Sequence, residues 1–393
     1  MNLHQEHHFE SAICDHLARH GWLYAEGDAA RYDRHNALFL PDLLAWVEAT
    51  QPESWQALAK THGAALPKVL AERVRKCLNE HGTLEVLRRG VELVGLKKPL
   101  MLVQFKPALG LNPAIQQAYA ANRLRVVRQV HHSLNNAQDA VDLVLFVNGI
   151  AVATAELKSD FTQSVGDAVD QYRFDRDPAP KGGLVEPLLA FPGGALVHFA
   201  VSQSEVMMST RLAGPASTFL PFNQGNAGGA GNPPNPFGFA TWYLWQAVWQ
   251  RDSWLEILGR YLVGERNDKK QLTGVIFPRY HQLDAVRRLD RTEFELVHRP
   301  SPQPVRQGPR RNGKSPPRRI HDRRTLPVLS VLLRSADDHD GDSESDADQD
   351  VAEDQGETVM HRRRHDHAGH INRCAAGHHA VRVAARAGPV GQL

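Results

Sequence analysis

Cysteine is scarce: Cys14, Cys77 and Cys374 are the only three in 393 residues, and no two of them form a CxxC pair. That spacing argues against a disulfide framework and against a zinc ribbon, and leads us to expect a reducing, cytoplasmic setting. Long apolar runs are missing too. No stretch of about 18 apolar residues occurs, and the start, MNLHQEHHFESAICDHLARHGW, has no apolar h-region, so neither secretion nor membrane spanning is expected. An excess charge of one sign is also lacking, with 46 Lys and Arg against 44 Asp and Glu, a formal net charge of +2. Any nucleic-acid binding must then come from local basic patches, not from a global field.

What is present is enough chain for two or three domains and for a core that needs no covalent staples. Phe9, Ala12, Ile13 and Leu17 recur at helical spacing and the run stops at His20-Gly21, which predicts an amphipathic first helix. Residues 53–95 continue in helical pattern. Strand-like segments then take over: PLMLVQF (99–105), RLRVVRQVHHS (123–133), VDLVLFVNG (141–149), IAVATAELKS (150–159) and ALVHFAVS (195–202), each bounded by turn residues. The segment FTQSVGDAVDQYRFDR reads as a helix. These elements predict a mixed α/β domain over 1–212, a Gly/Pro/Asn-rich surface loop or linker over 213–240, and connector elements over 241–290. In the last of these, TWYLWQAVWQRDSWLEILGRYL holds four of the seven tryptophans and reads as buried helix, and VIFPRYHQLDAVRRLD as a strand or turn feeding a helix. Over 291–393 hydrophobic periodicity is nearly absent apart from LPVLSVLL, and we expect a largely disordered tail.

The segment with chemistry in it is DLVLFVNGIAVATAELKSD, residues 142–160. It reads as an apolar β-hairpin that carries Asp142, Glu156 and Lys158. Glu156 and Lys158 are two positions apart, so a strand points both to one face. Two carboxylates can hold Mg²⁺ through hard oxygen ligands while the ion keeps several waters, and a lysine beside them can offset charge building on a phosphate. The plainer reading is that Asp142 caps a strand and Glu156 pairs with Lys158 at a sheet edge. Register discriminates between them. An unbulged two-residue turn at Asn148-Gly149 puts Asp142 opposite Ala155, on the other face from Glu156. A three-residue loop, Val147-Asn148-Gly149, puts Asp142 opposite Thr154 and diagonal to Glu156, so the metal reading predicts such a loop or an equivalent bulge.

Together with DAVDQYRFDRDP, LVHFAVS and FPRYHQLDAVRRL, the hairpin resembles the N-terminal nuclease region of the restriction (R) subunit of type I restriction-modification enzymes, in the PD-(D/E)xK nuclease superfamily. The likeness covers about residues 1–290. It implies a restriction-endonuclease-like mixed sheet flanked by helices, cleaving double-stranded DNA. By this resemblance Asp142 and Glu156 are Mg²⁺ ligands, with Mn²⁺ able to substitute, and Lys158 is the catalytic lysine. Gln171 is the candidate for the family's Gln motif, although Tyr172 follows it at once where the family often has Tyr four positions later. Glu10 matches a glutamate that the superfamily places on its first helix near the metal; an exposed helical glutamate is the alternative. Lys97, Lys98, Arg123, Arg125 and Arg128 are candidate phosphate contacts. Modification and specificity subunits are the implied partners, and base readout rests with the latter.

The resemblance also implies an ATP-driven motor, with Gln282 in the adenine-sensing position. A formal phosphate-loop match, GPRRNGKS (308–315), lacks a preceding apolar strand and is followed by Pro316-Pro317 where a helix should start, so ATP binding is not expected of this chain. His361, His365, His367, His370 and Cys374 are too loosely spaced to specify zinc. The acidic run 337–357 reads as a solvating tail. We expect the reading frame to depart from the family's after about residue 290, leaving a truncated subunit; a short protein with a regulatory tail is the alternative. A catalytically silent binding module remains the rival function.

Overall fold

A hairpin stands at the centre of the molecule. In the computed structural model, which describes residues 2–107, 111–161 and 163–298, β2 (Ala140–Val147) turns at Asn148-Gly149 into β3 (Ile150–Leu157). Both turn residues have positive φ, 49° and 82°, as a two-residue turn matched to strand twist requires. Gly149 is obligatory for a second reason: a Cβ there would lie 2.5 Å from the Phe39 carbonyl oxygen. Asn148 is buried, donates from Nδ2 to the Leu102 carbonyl and to Asn122 Oδ1, and accepts the Arg123 N–H at 2.7 Å.

The hairpin sits in a six-stranded sheet of order β1-β2-β3-β4-β5-β6. The other strands are β1 (Leu124–His131), β4 (Val197–Val201), β5 (Val206–Ser209) and β6 (Leu220–Pro221). Among these strands only β3 and β4 run parallel, and their crossover carries a helix over Val165–Asp170. Helices α1 (Asn2–Arg19), α2 (Leu40–Thr50), α3 (Pro52–His62), α4 (Leu66–His81), α5 (Thr83–Arg89) and α6 (Pro113–Ala121) precede the sheet. Helix α7 (Val165–Asp170) continues as a π-turn over Gln171–Asp175. The mixed α/β class and the flanking helices agree with the sequence reading.

Two apolar layers enclose the sheet. One gathers Phe9, Ile13 and Leu17 of α1 with Leu143, Leu145, Ile150, Val152, Ala153, Ala155 and Phe199. The other gathers Val144, Phe146, Ala151, Ala168, Tyr172 and Ala200. Even-numbered Ile150 and Val152 thus share a face with odd-numbered Ala153 and Ala155. The alternation slips because β3 carries a bulge: Phe146 pairs with Ala151 but Leu145 pairs with Ala153. The expected three-residue loop is therefore replaced by a two-residue turn plus a bulge a few residues on, which corrects the loop while keeping the odd count it was to provide.

Local differences from the sequence reading have physical causes. PLMLVQF is not a strand; Leu100 makes one bridge with Val91, and the Met101 carbonyl accepts from Trp46 Nε1 and Gln51 Nε2. The Gly/Pro/Asn-rich stretch is not wholly surface, since Leu220 and Pro221 pair with Met208 and Met207 and Phe222 is fully buried. The tryptophan segment is buried as expected, but broken: a π-turn at Leu244–Val248, α8 (Arg251–Glu256), and a second π-turn at Ile257–Tyr261. A small hairpin of β7 (Val263–Arg266) and β8 (Leu272–Ile276) leads to α9 (Tyr280–His298), which runs past residue 290. The sequences from 299 on, including GPRRNGKS, the acidic run and the histidine-rich end, lie outside the described residues. Among those described, no helix is long and apolar enough to cross a membrane.

Gly149→Ala tests the turn. Left-handed backbone costs a non-glycine residue about 1–2 kcal/mol, and the clash with Phe39 adds to it, so a urea midpoint should fall by the equivalent of about 2 kcal/mol or more. An unchanged midpoint would mean that the turn is not held against α2.

Candidate active site

The bulge decides what Asp142 and Glu156 can do. Beyond it, Leu143 pairs with Ala155 and Val144 with Thr154, so the same register sets Asp142 directly opposite Glu156. Cross-strand partners share a face. Without the bulge Glu156 would follow Ile150 and Val152 into the α1 layer; with it, Glu156 follows Thr154 towards Tyr172. Two of the predicted groups are thereby brought together.

Their environments differ. Asp142 is half-buried: Oδ2 accepts the Leu157 N–H at 2.8 Å and Oδ1 accepts Gln129 Nε2 at 3.1 Å. Glu156 has 0% exposure. Its Oε1 accepts Arg176 Nε at 2.7 Å, while Oε2 is buried and meets no hydrogen-bond donor among the described residues. Arg176 is itself tied by a 2.6 Å bond from Nη2 to the Ala140 carbonyl. Burial, and after it the Asp142 carboxylate, pushes the Glu156 carboxyl well above the usual range, against the opposing pull of Arg176 and Lys158. Lys158 lies one residue past β3, half-buried, with its backbone N–H on the Val201 carbonyl at 2.8 Å.

The remaining candidates fall into place unevenly. Gln171 opens the π-turn that continues α7, and its Oε1 is buried with no donor among the described residues. Tyr172 points into the core: its hydroxyl lies 2.7 Å from Thr154 Oγ1, which is 2.8 Å from His198 Nδ1. Glu10 is not the exposed helical glutamate of the plainer reading. It is 5% exposed, and Arg128 Nη2 donates to its Oε2 at 2.6 Å while Gln129 Nε2 reaches its Oε1 at 3.2 Å.

The basic candidates differ in their surroundings. Arg125 is 6% exposed; Nε and Nη2 donate to Asp42, Nη1 to Asp28, and its guanidinium stacks on Phe39. Arg128 is spent on Glu10, Ser11 and Tyr24. These are internal ion pairs and hydrogen bonds. Arg123 also pairs with Asp42, although its side chain is 37% exposed. Lys97 and Lys98 are exposed. Gln282 accepts the Arg279 N–H at 2.9 Å at the start of α9 and lines a cavity of about 420 Å³ with Phe277, Arg211 and Leu220. A larger cavity of about 730 Å³, between α4, α5 and the β7–β8 hairpin, contains none of the candidate residues.

Sequence reasoning missed Gln129 and Arg176, whose side chains hydrogen-bond Asp142 and Glu156. A polar pair, Arg128-Gln129, inside an apolar strand was the one signal for Gln129. Nothing local marks Arg176. Among the described residues no three His, Cys, Asp or Glu side chains come together in a way that could hold a metal ion.

The mixed sheet thus sets Asp142 near Glu156, with Lys158 two residues on. A family model, the type I restriction enzyme R protein N terminus, matches residues 5–217. That is more than half of the chain, and the chain belongs to that family. Comparison with curated proteins gives no match.

The buried imidazoles make stability depend on pH. Burial holds His198 down at about 3, and burial with Arg176 nearby holds His132 at about 4. Unfolded histidine titrates near about 6.5. Between these values the unfolded chain binds more protons, so this contribution is full above about pH 6.5 and is lost as pH falls towards about 4 and then about 3. Thermal midpoints should fall from about pH 7 to about pH 4.5, less steeply in His198→Gln. Equal slopes would show that His198 is not held neutral.

Proposed function

We propose that this chain carries the Mg²⁺-dependent nuclease site of a type I restriction subunit and cleaves duplex DNA by phosphodiester hydrolysis. The observation that carries the reading is Glu156: a fully buried carboxylate with one oxygen meeting no donor among the described residues, close enough to the Asp142 carboxylate to feel its charge. A buried carboxylate oxygen left without a partner is costly even where Arg176 meets the other oxygen, and a divalent cation is a partner that would satisfy both carboxylates at once. Two carboxylates suit Mg²⁺, which keeps most of its waters, and Mn²⁺ equally. Asp142 and Glu156 would hold the ion. When bound it supplies Lewis acidity towards a phosphate oxygen.

The chain's own groups do the rest. The Leu157 N–H and Gln129 fix the Asp142 carboxylate. Lys158, which feels Glu156 electrostatically, offsets charge developing on the phosphate and orients the attacking water. Gln171 offers its buried Oε1 as an acceptor for that water. Lys97 and Lys98 are the remaining candidates for phosphate contact. Modification and specificity subunits would be the partners, and an ATP-driven motor would belong to the full family enzyme.

One observation favours a second reading. Arg176 already neutralises one oxygen of Glu156, as it would in a silent module that docks its complex without cutting. Metal titration separates the two. For the nuclease, Mg²⁺ at a hundredfold excess over Kd should stabilise the chain by about 2.7 kcal/mol, an effect lost in Asp142→Asn and Glu156→Gln. Lys158→Ala should keep that stabilisation yet lose nicking of supercoiled DNA by about 10²-fold or more. Midpoints of the wild-type chain that ignore both Mg²⁺ and Mn²⁺ would establish the silent module.

A further inference from the structure

One residue of β1 departs from strand geometry. Gln129 has φ of 49°, in the left-handed region that a non-glycine residue rarely adopts, although Arg128 and Val130 on either side keep their pairing with Leu143 and Val141. The unbroken register puts Gln129 directly across from Asp142. Its effect on the strand is visible in the packing: Val127 and Val130, three apart, share one apolar layer, as do Val141 and Val144. Core packing does not explain the conformation of Gln129 itself, because its side chain is exposed. Its hydrogen bonds do. A primary amide has two N–H groups, and Nε2 sends one to Asp142 Oδ1 at 3.1 Å and one to Glu10 Oε1 at 3.2 Å.

We propose that Gln129 is a positioning residue for the metal site: its strained backbone aims a bidentate amide donor that fixes the Asp142 carboxylate for the ion and ties it to Glu10 on α1. This rests on the nuclease reading above. The geometry supports it from three sides. Asp142 has its Oδ2 committed to the Leu157 N–H, so Gln129 sets the remaining rotation of the carboxylate. Glu10 is held from its other side by Arg128, so the amide bridges to a fixed post and not to a mobile side chain. Strain of this kind persists where the surroundings over-determine it, and here the surroundings are two carboxylates of the site. Hydrogen-bonding partners behind a metal-ligating carboxylate typically matter about 10- to 100-fold in metal affinity. Glu10 thus acts through Gln129, as the anchor of the donor that orients the ligand.

The test separates aim from stability. Asparagine tolerates left-handed backbone and keeps the amide, but it is one methylene too short to reach both carboxylates. Mn²⁺ binding to the full chain is read by water-proton relaxation, with Asp142→Asn as the background, since that variant retains every acidic and histidine residue of the tail. The expected result for Gln129→Asn is an Asp142-dependent Mn²⁺ Kd weaker by about 10-fold or more, with an unchanged metal-free unfolding midpoint. Gln129→Gly, which relieves the backbone and removes the amide, should weaken binding at least as much without lowering that midpoint. Wild-type affinity in both variants overturns the proposal and leaves the nuclease reading standing. A fall in metal-free stability that accounts for the loss of binding in both variants also overturns it, because Gln129 is then a scaffold residue. If the wild-type chain itself shows no Asp142-dependent Mn²⁺ binding, the nuclease reading fails and this inference with it.

Discussion

A carboxylate that water cannot reach governs this structure. Glu156 is buried among apolar strands with a second carboxylate across from it, and only one of its oxygens has a partner among the described residues. Such a group resists ionisation, as its raised pKa reflects, and a folded chain tolerates it only when the rest of the core is secure. Security comes from the sheet being sandwiched: β3 is buried along its whole length between two apolar layers. Arg176 meets one oxygen of Glu156 and Gln129 one oxygen of the half-buried Asp142, so the charge of the two carboxylates is only partly balanced by these partners.

The pairing of those carboxylates depends in turn on a single extra residue in β3. One slip in register moves every side chain of a strand to the opposite face. The bulge near Val152 makes that slip on purpose, so that the turn end of the strand feeds the α1 layer while Thr154 and Glu156 face Tyr172, His198 and Asp142. A tight turn and a separate bulge divide the work. Asn148-Gly149 can then be shaped wholly by its contacts with Phe39, Leu102 and Asn122, and the bulge by the needs of the site.

This division also explains what could be read beforehand. Strands β1 to β4 were legible because β-branched runs end at Gly, Pro or Asn, whereas the short β5, β6 and β7 were not, and the charged triplet was legible because Asp142, Glu156 and Lys158 interrupt apolar sequence. The need for an odd residue between the carboxylates followed from pairing rules. Its location did not, because IAVATA has Thr154 as its one polar residue and is buried on both faces, which removes the alternation that marks register. The ion pairs of the arginines in RLRVVR were not legible for a related reason. Their partners, Asp28, Asp42 and Glu10, are remote in sequence, and an internal ion pair made across about 80 to 120 residues looks locally like an exposed cation. PLMLVQF has strand composition, but hydrogen bonds from Trp46 and Gln51 claim the Met101 carbonyl.

The core does not stop where the family match does. Residue 217 is the last one matched, yet Trp245, Trp249, Trp254, Leu255 and Leu258 lie in the same apolar layer as α1. Phe9 packs against Phe239 and Trp245 with ring centroids 4.7 and 5.8 Å apart, and Trp22 donates to the Trp249 carbonyl. Phe9 is the neighbour of Glu10 in α1. The helix that delivers Glu10 to Arg128 and Gln129 is therefore seated against sequence far downstream of the hairpin, and the geometry around Asp142 depends on aromatic residues outside the matched region. Truncating the chain at the edge of the family match would strip the apolar cover from α1 and unseat Glu10, so the smallest unit able to hold this site in its observed form extends at least through the tryptophan segment.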